Sequence, residues 1–351
     1  MKAWVVRQLG GPESMGYEDV DAGVPADGMV RISIRASGIN YFDALMVAGQ
    51  YQSKPELPFV PGVEISGEIL HAPEKSGFEQ GQRVSALLDS GGLTRGGYAE
   101  IADAAPAAVQ PLPGGMPFDE AAAFTLIFQT AWFGLHRRAA IKPEEILLVH
   151  AGAGGVGSAA IQLGKAAGAT VIATAGTDEK VEVCKRLGAT HAINYKAQDF
   201  AEEVRRITGG EGVDVIMDAL GPTSFRKDYR ILRPGGRLIM YGASEVQTGT
   251  GKRDMRTALR SLARMPTATM PWWKSLGVMN ENKGVFGLNM LSWWDREGSV
   301  DRLTEPLLDG LAKGDLMPVV AEAFPFDRAP DAHRFIEERR NIGKVVLVPT
   351  A

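Results

Sequence analysis

The pattern of hydrophobic and polar residues changes once along the chain, near residue 120. Before that point, short apolar or alternating runs are separated by Gly, Pro and Asp, which predicts strands and turns with one short helix at YFDALMVAG. The predicted strands lie in MKAWVVRQ, MVRISIRASG, EISGEILHA, GQRVSALL and GGYAEIA. We expect a β-rich, barrel-like domain in this part of the chain.

Beyond residue 120, helical and strand patterns alternate. DEAAAFTLIFQTAWFGLHRRA predicts one long helix, with acids at its start and arginines near its end, as the helix dipole favours. Strands are then predicted in EILLVHA, ATVIATA, THAINY, VDVIMDALG, GGRLIMYGA and GVFGLNML. This alternation is typical of a doubly wound parallel sheet, so the predicted fold class is α/β. The last strand, KVVLVP, has no place in that sheet and is expected to return to the first domain.

The segment at about residues 245–283 is long for a connection inside a compact sheet. Its first half is basic, from Lys252 to Arg264, and its second half carries Trp272 and Trp273. Two interpretations stay open: a solvated helix face, or a flap that covers an apolar substrate. Because the segment begins after the predicted strand GGRLIMYGA and leads into the predicted strand GVFGLNML, we expect a lid over the site.

Three glycines, Gly152, Gly154 and Gly157, form the pattern G-x-G-x-x-G between a predicted strand and a predicted helix. Gly152 permits a tight turn, Gly154 lets a pyrophosphate approach the backbone, and Gly157 lets the helix pack closely on the strand. The amides at the start of the helix, which include those of Gly155 and Val156, then meet the phosphate charge. The pattern therefore predicts dinucleotide binding.

The end of the second strand of the sheet bears on the choice of dinucleotide. An acid there usually binds the ribose hydroxyls of NAD, but this sequence has Ala175. The next acids, Asp178 and Glu179, fall in the first turn of the following helix and are better explained by capping. Lys180 follows, and Tyr195 closes the third strand. A neutral pocket with a lysine and a tyrosine favours the extra phosphate of NADPH, although the lack of an arginine leaves NADH open.

Composition narrows the classes of function. A length of 351 residues allows two domains with separate cores, and the net charge of −4 gives no reason to expect nucleic acid. The single cysteine, Cys184, excludes an internal disulfide, and its helical context predicts a buried structural thiol. The N-terminus lacks the apolar core of a secretory signal, and glycines interrupt the uncharged stretch 146–164. We therefore expect a cytoplasmic protein without stable membrane insertion.

A series of motifs extends over almost the whole chain: ASGINYFDAL, FVPGVEISGEI, GQRVSALL, GGYAEIA, AAAFTLIFQTAWFGL, ILLVHAGAGGVGSAAIQLGKAAGA, GATHAINY, GVDVIMDALG, GGRLIMYG and NIGKVVLVP. Their order resembles the zinc-free quinone oxidoreductase branch of the medium-chain dehydrogenase/reductase superfamily, and is most similar to the vesicle amine transport protein-like reductases. The resemblance implies a GroES-like catalytic domain from residues 1–122 and 302–351. It also implies a Rossmann domain at 123–301, with the nicotinamide in the cleft between them.

The resemblance bears on Glu64, a carboxylate inside the apolar run VPGVEISG. Zinc-dependent members carry a cysteine at the position of Asn40 and a histidine at that of Val63. Neither replacement supplies the thiolate or imidazole that zinc prefers, and the five histidines show no metal-ligand spacing. We therefore expect no zinc, and a buried ion pair between Glu64 and a basic residue such as Lys344.

Without a metal, hydrogen bonds must polarise the carbonyl of a substrate while the nicotinamide supplies the hydride. The resemblance implies that Asn40 lies beside the nicotinamide and the substrate. It places Tyr51 where related enoyl-thioester reductases donate a hydrogen bond to a carbonyl, but Gln52 replaces a frequent proline, so a surface role for Tyr51 stays open. Further cofactor contacts that the resemblance implies are Thr130, Gly242, Phe286, Leu288 and Asn341.

Three functions are compatible with these residues. The first is an NADPH-dependent reductase of quinones or α,β-unsaturated carbonyls, and the second is an enoyl-thioester reductase. The third is a non-catalytic NADPH-binding protein that acts as a membrane-associated or RNA-associated partner. The intact glycine turn together with Asn40 and Tyr51 favours catalysis. GVFGLNML is the last strand of the predicted sheet, and since the family commonly pairs two such edges, we expect a homodimer.

Overall fold

The computed structural model describes residues 1–52, 54–242, 244, 279–297 and 301–350. By its internal contacts the chain divides into two compact units: Met1–Leu126 with the C-terminal residues from Trp294 onward, and the residues between Ile127 and Trp293. The domain limits expected from the sequence, 1–122 with 302–351 and 123–301, remain a prediction. Apart from residues 279–283, the predicted insert and its lid lie outside the described residues.

The first unit begins with short strands and one short helix. In chain order these are β1 Lys2–Val6, β2 Met15–Asp19, β3 Val30–Ile39, α1 Tyr41–Val47, β4 Glu64–His71, β5 Arg83–Leu87, β6 Ile101–Ala104 and β7 Val109–Pro111. Helix α1 begins at a capping box in which Asn40 and Asp43 each accept a backbone N–H of the other. It ends before Gly49, whose φ of 66° suits a residue without a side chain.

The long helix predicted from residue 119 onward is divided, so that prediction was wrong. Helix α2 covers Phe118–Ala121, and helix α3 covers Thr125–Trp132 and continues as a π-helix over Phe133–Arg138. The carboxylate of Glu64 accepts the N–H of Leu126 at 2.7 Å. A side chain from a distant strand thus satisfies one of the free amides at the start of α3 and supports a new helix there.

The second unit contains a parallel six-stranded sheet with helices between its strands. Its elements are β8 Ile146–Val149, α4 Gly155–Ala166, β9 Thr170–Ala175, α5 Asp178–Leu187, β10 His191–Asn194, α6 Phe200–Ile207, β11 Val213–Asp218, α7 Pro222–Ile231, β12 Leu232–Met240, β13 Gly284–Gly287 and α8 Met290–Glu297. The strand order is β10-β9-β8-β11-β12-β13. The order reverses between β8 and β11, which is where doubly wound sheets bind ligands.

This sheet has the apolar core that its sequence predicts. The side chains of β8, β9 and β11 are buried almost throughout, since strands of a parallel sheet are covered on both faces. Strand β13 is the last strand on one side of the described sheet, and Phe286 on it is 37% exposed. The α/β class and the parallel sheet are therefore confirmed.

The C-terminal residues complete the first unit. They form α9 Asp301–Ala312, β14 Val320–Pro325, α10 Ala329–Glu337 and β15 Lys344–Val348. Strand β15 pairs with β14 and, antiparallel, with β3, and the sheet order is β14-β15-β3-β4-β5-β7 with β6 also on β3. The final strand thus returns to the first unit, as expected. Within the described part of the chain, no helix combines the length and apolar character needed to span a membrane.

Candidate active site

The buried carboxylate of Glu64 pairs with Lys344. Their side chains are 0% and 3% exposed, and the distance from Lys344 Nζ to Glu64 Oε2 is 2.6 Å. Glu64 is the first residue of β4 and Lys344 the first of β15, and both strands flank β3 in the sheet. The predicted ion pair is confirmed. Because the other carboxylate oxygen accepts the amide of Leu126, both oxygens of Glu64 are engaged.

Asn40 joins this pair at the end of β3. The register of β15 on β3 places Val345 opposite Ile39, so Lys344 lies beside Asn40. Lys344 Nζ donates a hydrogen bond to Asn40 Oδ1, and the backbone N–H of Asn40 donates to Asp43 Oδ2 at 2.7 Å. The result is a buried polar cluster of four side chains, Asn40, Asp43, Glu64 and Lys344, which we call the Asn40 cluster.

Asp43 is the member of the Asn40 cluster that lies on helix α1. It is fully buried, and burial raises the pKa of its carboxyl group to about 7, against a lowering by the hydrogen bonds from Asn40 and by the charge of Lys344. Burial raises the pKa of the Tyr98 hydroxyl, and the negative charge of Asp43 raises it further by a smaller amount. Helix α1 therefore carries an acid that changes charge near neutral pH.

A second buried pair lies in the same unit. The Tyr98 hydroxyl and His333 Nε2 form a hydrogen bond of 2.9 Å, and burial lowers the pKa of His333 to about 4. His333 is thus a neutral core histidine at neutral pH. The sequence shows only a tyrosine in a strand pattern and a histidine in a helical one, which is why the pair was not predicted.

The other two predicted site residues of this unit have local partners. The ring of Tyr51 stacks on Phe42 with centroids 5.4 Å apart, and its backbone N–H donates to the carbonyl of Leu45. The side chain of Asn341 donates to the carbonyl of Gly343 at 2.9 Å. Both are partly exposed, so packing does not close either side chain off from a ligand.

In the second unit, the glycine turn joins β8 to α4 at the carboxyl end of the sheet. A Cβ at Gly157 would lie 2.2 Å from the carbonyl oxygen of Ala151, so helix α4 packs directly on the turn. Gly154 is the N-cap of α4 with extended backbone, and the first helical amides, from Gly155 to Gly157, have no acceptor inside the helix. The turn is thus built to receive an anion.

Gly152 has a different structural reason from the one expected. The residue with left-handed backbone in this turn is Ala151, at a φ of 51°. At Gly152 a Cβ would come within 2.9 Å of both the Ala173 side chain and the Cys184 sulfur. Gly152 is therefore required by the packing of β9 and α5. Cys184 is fully buried, and burial raises the pKa of its thiol to about 12, so the prediction of a structural cysteine is confirmed.

The end of β9 is uncharged, as the sequence indicates. Ala175 is buried, and Tyr195 donates its backbone N–H to the Ala175 carbonyl at 3.1 Å. The Tyr195 hydroxyl lies so close to Gly176 that a Cβ there would be 2.8 Å from it. Lys180 lies in the first turn of α5, whose N-cap is Thr177. Asp178 is not the cap, since its carboxylate accepts a hydrogen bond from Asn194 at 2.7 Å.

The remaining predicted cofactor residues lie at or near the same edge of the sheet, except Thr130. Gly242 follows β12, and a Cβ there would lie 2.8 Å from the carbonyl oxygen of Ala219. Leu288 follows β13 and donates its N–H to the Met240 carbonyl at 2.9 Å. Phe286 is in β13, whereas Thr130 is buried in α3. The structure thus brings the residues from 152 to 195 together with Gly242 and Leu288 at one edge.

Sequence reasoning missed a buried hydrogen-bonded cluster of polar side chains at this edge. His150, directly after β8, lies 2.9 Å from both Thr174 Oγ1 and Asp228 Oδ1. Asp218, the last residue of β11, accepts the Ser224 hydroxyl at 2.5 Å, and burial raises its pKa to about 7. The sequence did contain a signal for this cluster, since His150 and Asp218 lie at the ends of β8 and β11, the two strands that flank the switch point.

Two known protein families match separate parts of the chain. The family described as "Alcohol dehydrogenase GroES-like domain" matches residues 26–114, and the family "Zinc-binding dehydrogenase" matches residues 155–268. The synaptic vesicle membrane protein VAT-1 homolog of Rattus norvegicus is 33% identical over 359 aligned residues, which cover 99% of this chain and 84% of that protein.

Two further proteins are similar over their full length. A 2-haloacrylate reductase of Burkholderia sp is 32% identical, with 99% of each chain covered. A crystal structure of Escherichia coli quinone oxidoreductase complexed with NADPH has a TM-score of 0.84 and 27% identity, and covers 99% of this chain and 100% of that one.

A β-rich unit combined with a parallel sheet that carries a glycine turn at its switch point is an architecture that binds dinucleotides. The quinone oxidoreductase and reductase relatives, at about 30% identity, support an NAD(P)H-dependent oxidoreductase. The alignment with the 2-haloacrylate reductase covers 99% of this chain. The chain belongs to the medium-chain dehydrogenase/reductase superfamily, in the group of VAT-1 homologues and quinone oxidoreductases. The GroES-like and Rossmann domains implied by its sequence motifs are thereby confirmed.

The family description mentions zinc, but the residues present do not fit that metal. Asn40 and Val63 stand where the resemblance of the motifs implies the ligands of zinc-dependent members, and Glu64 is engaged by Lys344 and Leu126. Amide and alkyl side chains cannot replace thiolate or imidazole. Throughout the described ranges, no group of three or more His, Cys, Asp or Glu side chains is placed to hold a metal ion.

Proposed function

We propose that the protein is an NADPH-dependent reductase that transfers hydride to a quinone or an α,β-unsaturated carbonyl without a metal. The observation that carries the proposal is Asn40, an amide at the position of a metal ligand, held in a buried polar cluster. Bound NADPH supplies the hydride. The similarity to a quinone oxidoreductase and to a 2-haloacrylate reductase supports both acceptor classes.

The residues of the chain have separate tasks in this proposal. Asn40 donates a hydrogen bond to the carbonyl oxygen of the acceptor, on which negative charge develops as hydride reaches the β-carbon. Tyr51 is the second candidate donor, and its hydroxyl can supply a hydrogen bond without leaving its stacked position on Phe42. The amides that begin α4 hold the pyrophosphate of the cofactor.

The preference for NADPH rests on the carboxyl end of β9. No acid ends this strand, since Ala175 stands there, and the nearest carboxylate, Asp178, is held by Asn194. Lys180 supplies a cation in the first turn of α5, and Tyr195 supplies a hydroxyl next to Gly176. A phosphate on the ribose therefore meets a cation and a donor rather than a carboxylate.

We further propose a homodimer that pairs two copies of β13. This strand ends the described sheet, and Phe286 on it is 37% exposed. An unpaired strand edge with an exposed aromatic side chain favours pairing across a twofold axis. The dimer would then contain one continuous sheet.

The test is a turnover screen of the purified protein. NADPH or NADH oxidation is measured with 9,10-phenanthrenequinone, 2-cyclohexenone and crotonyl-CoA as acceptors, and Asn40→Ala and Tyr51→Phe serve as comparison variants. We expect turnover of the quinone or the enone with NADPH, lowered by about 10²-fold or more in Asn40→Ala, as for the loss of one oxyanion donor. Preference for crotonyl-CoA would indicate an enoyl-thioester reductase, and NADPH binding without any turnover would indicate a non-catalytic protein.

A further inference from the structure

The orientation of the Asn40 side-chain amide is determined by its neighbours. Asn40 Oδ1 accepts a hydrogen bond from Lys344 Nζ and the backbone N–H of Asp43 within the capping box. Both neighbours are donors, and an ammonium group has no acceptor. The reversed amide would place its NH₂ group against two donors, so only one orientation is compatible with the cluster.

This orientation leaves the other end of the amide for a ligand. Asn40 is 8% exposed, and among the described residues its Nδ2 atom has no hydrogen-bond partner. A buried donor without a partner is costly, about 1–3 kcal/mol, and such groups in native proteins commonly have a functional reason. The buried NH₂ group is therefore suited to an acceptor oxygen that arrives with the substrate.

Lys344 is itself held firmly in place. Glu64 Oε2 lies 2.6 Å from Lys344 Nζ, and Glu64 Oε1 is fixed by the Leu126 amide. Gly38 packs against the pair so tightly that a Cβ there would be 2.9 Å from Lys344 Cε and 3.0 Å from Glu64 Oε2. A cation that donates to Asn40 Oδ1 withdraws electron density from the amide, and in a buried site this strengthens the NH₂ group as a donor.

We propose that Lys344 is a positioning residue that holds and polarises the Asn40 amide, so that Nδ2 donates to the carbonyl oxygen of the substrate. The inference rests on the proposed reductase function. Hydride from NADPH adds to the β-carbon of an enone, and the C=C electron pair moves so that the carbonyl oxygen becomes an enolate oxygen. Asn40 Nδ2 stabilises that oxygen until a proton from water reaches the α-carbon and restores the carbonyl. Glu64 keeps the ammonium group of Lys344 directed at Asn40.

The kinetic test is a double-mutant cycle between Asn40 and the ion pair. Asn40→Ala, the pair variant Glu64→Gln/Lys344→Met and the triple variant are compared with the parent in single-turnover hydride transfer from saturating NADPH to 2-cyclohexenone. The pair variant replaces the cationic donor without leaving a buried charge alone. As matched control, Arg31→Met/Asp103→Asn removes another buried ion pair of the same unit, with a contact distance of 2.7 Å.

We expect the pair variant to be slower by about 10-fold to 100-fold, within the range for a weakened oxyanion donor, with unchanged affinity for NADPH. In the Asn40→Ala background, the pair substitutions should lower the rate of hydride transfer by less than about threefold, because Lys344 then has no amide to position. Multiplicative losses, or an equal loss of rate in the control, would overturn the inference.

A second readout does not depend on activity. The chain contains six asparagines, so selective ¹³C,¹⁵N-asparagine labelling gives few side-chain signals, and the Asn40 signal is the one lost in Asn40→Ala. We expect its Cγ and Nδ2 shifts to move in the pair variant and to stay in the control. If the Cγ and Nδ2 shifts of Asn40 stay unchanged in the pair variant, the positioning role is refuted. The parent protein could also show no turnover while the Asn40 shifts move in the pair variant. That result would support the positioning role and contradict the proposed function.

Discussion

Replacing Asp43 by Asn tests the electrostatics of the Asn40 cluster with little change in shape. Asp43 Oδ2 accepts the backbone N–H of Asn40 at 2.7 Å, an acceptor role that the carbonyl oxygen of an asparagine can keep. The other oxygen, Oδ1, is buried without a hydrogen-bond partner among the described residues. The substitution therefore removes one ionisable group and leaves the capping bond of α1 in place.

The size of the change in the free energy of unfolding follows from the pKa of Asp43, which burial raises from 3.8 to about 7. Since the folded protein binds this proton more tightly than the unfolded chain, Asp43 contributes stability that is fully present below about pH 4. That contribution is lost as the pH rises through about 7. One proton changes the free energy of unfolding by about 1.4 kcal/mol per pH unit. Between pH 5 and 7 the parent should lose roughly 2–3 kcal/mol relative to Asp43→Asn.

The assay is urea unfolding of both proteins at pH 5, 6, 7 and 8, read as the difference in unfolding free energy at each pH. Taking the difference removes the contribution of other titrating groups, such as the buried His333. Replacement of the exposed Asp27 by Asn is the control and should give a constant difference. If the difference between the parent and Asp43→Asn stays within about 0.5 kcal/mol from pH 5 to 8, the assignment of Asp43 as a group that titrates near neutral pH is refuted.

Three further predictions concern the cofactor, the metal and the assembly. Lys180→Ala should weaken NADPH binding by about 1–3 kcal/mol and spare NADH in fluorescence titrations, whereas equal losses would mean that Lys180 is not at the phosphate. Elemental analysis should find no stoichiometric zinc, and activity should survive chelation, because Asn40 and Val63 cannot bind the metal; one zinc per chain whose removal abolishes activity would contradict this. Light scattering at micromolar concentration should give the mass of a dimer, and a monomeric mass would count against pairing through β13.

The sequence predicted the second unit well because the signals there are local. Each strand of the sheet is a short apolar run followed by a helical pattern, and the glycine turn lies within a few residues of β8. The uncharged end of β9 could also be read directly, since one position, Ala175, decides it. The cause assigned to Gly152 was wrong because its neighbours, Ala173 and Cys184, come from elements later in the chain.

In the first unit, two features could not be predicted from neighbouring residues, because they depend on contacts with distant parts of the chain. The segment from Phe118 to Arg138 has a continuous helical pattern, yet the chain forms two helices because Glu64, more than fifty residues earlier, caps the second one. Asp43 looks like an ordinary capping residue in YFDALMV, and its capping role is observed. Its complete burial, which raises its pKa, depends on how α1 packs within the unit, and no residue near Asp43 in sequence reports that packing.

The buried ion pair of Glu64 and Lys344 is not explained by a contribution to folding stability alone. Replacing a buried pair by apolar residues of similar volume is often neutral or stabilising, because two charges no longer lose their hydration. In this protein an apolar pair would also remove the acceptor of the Leu126 amide and the donor to Asn40 Oδ1. The start of α3 and the orientation of the Asn40 amide would both lose their fixed partners. These contacts indicate that the pair orients its neighbours, Asn40 and the Leu126 amide, more than it stabilises the fold.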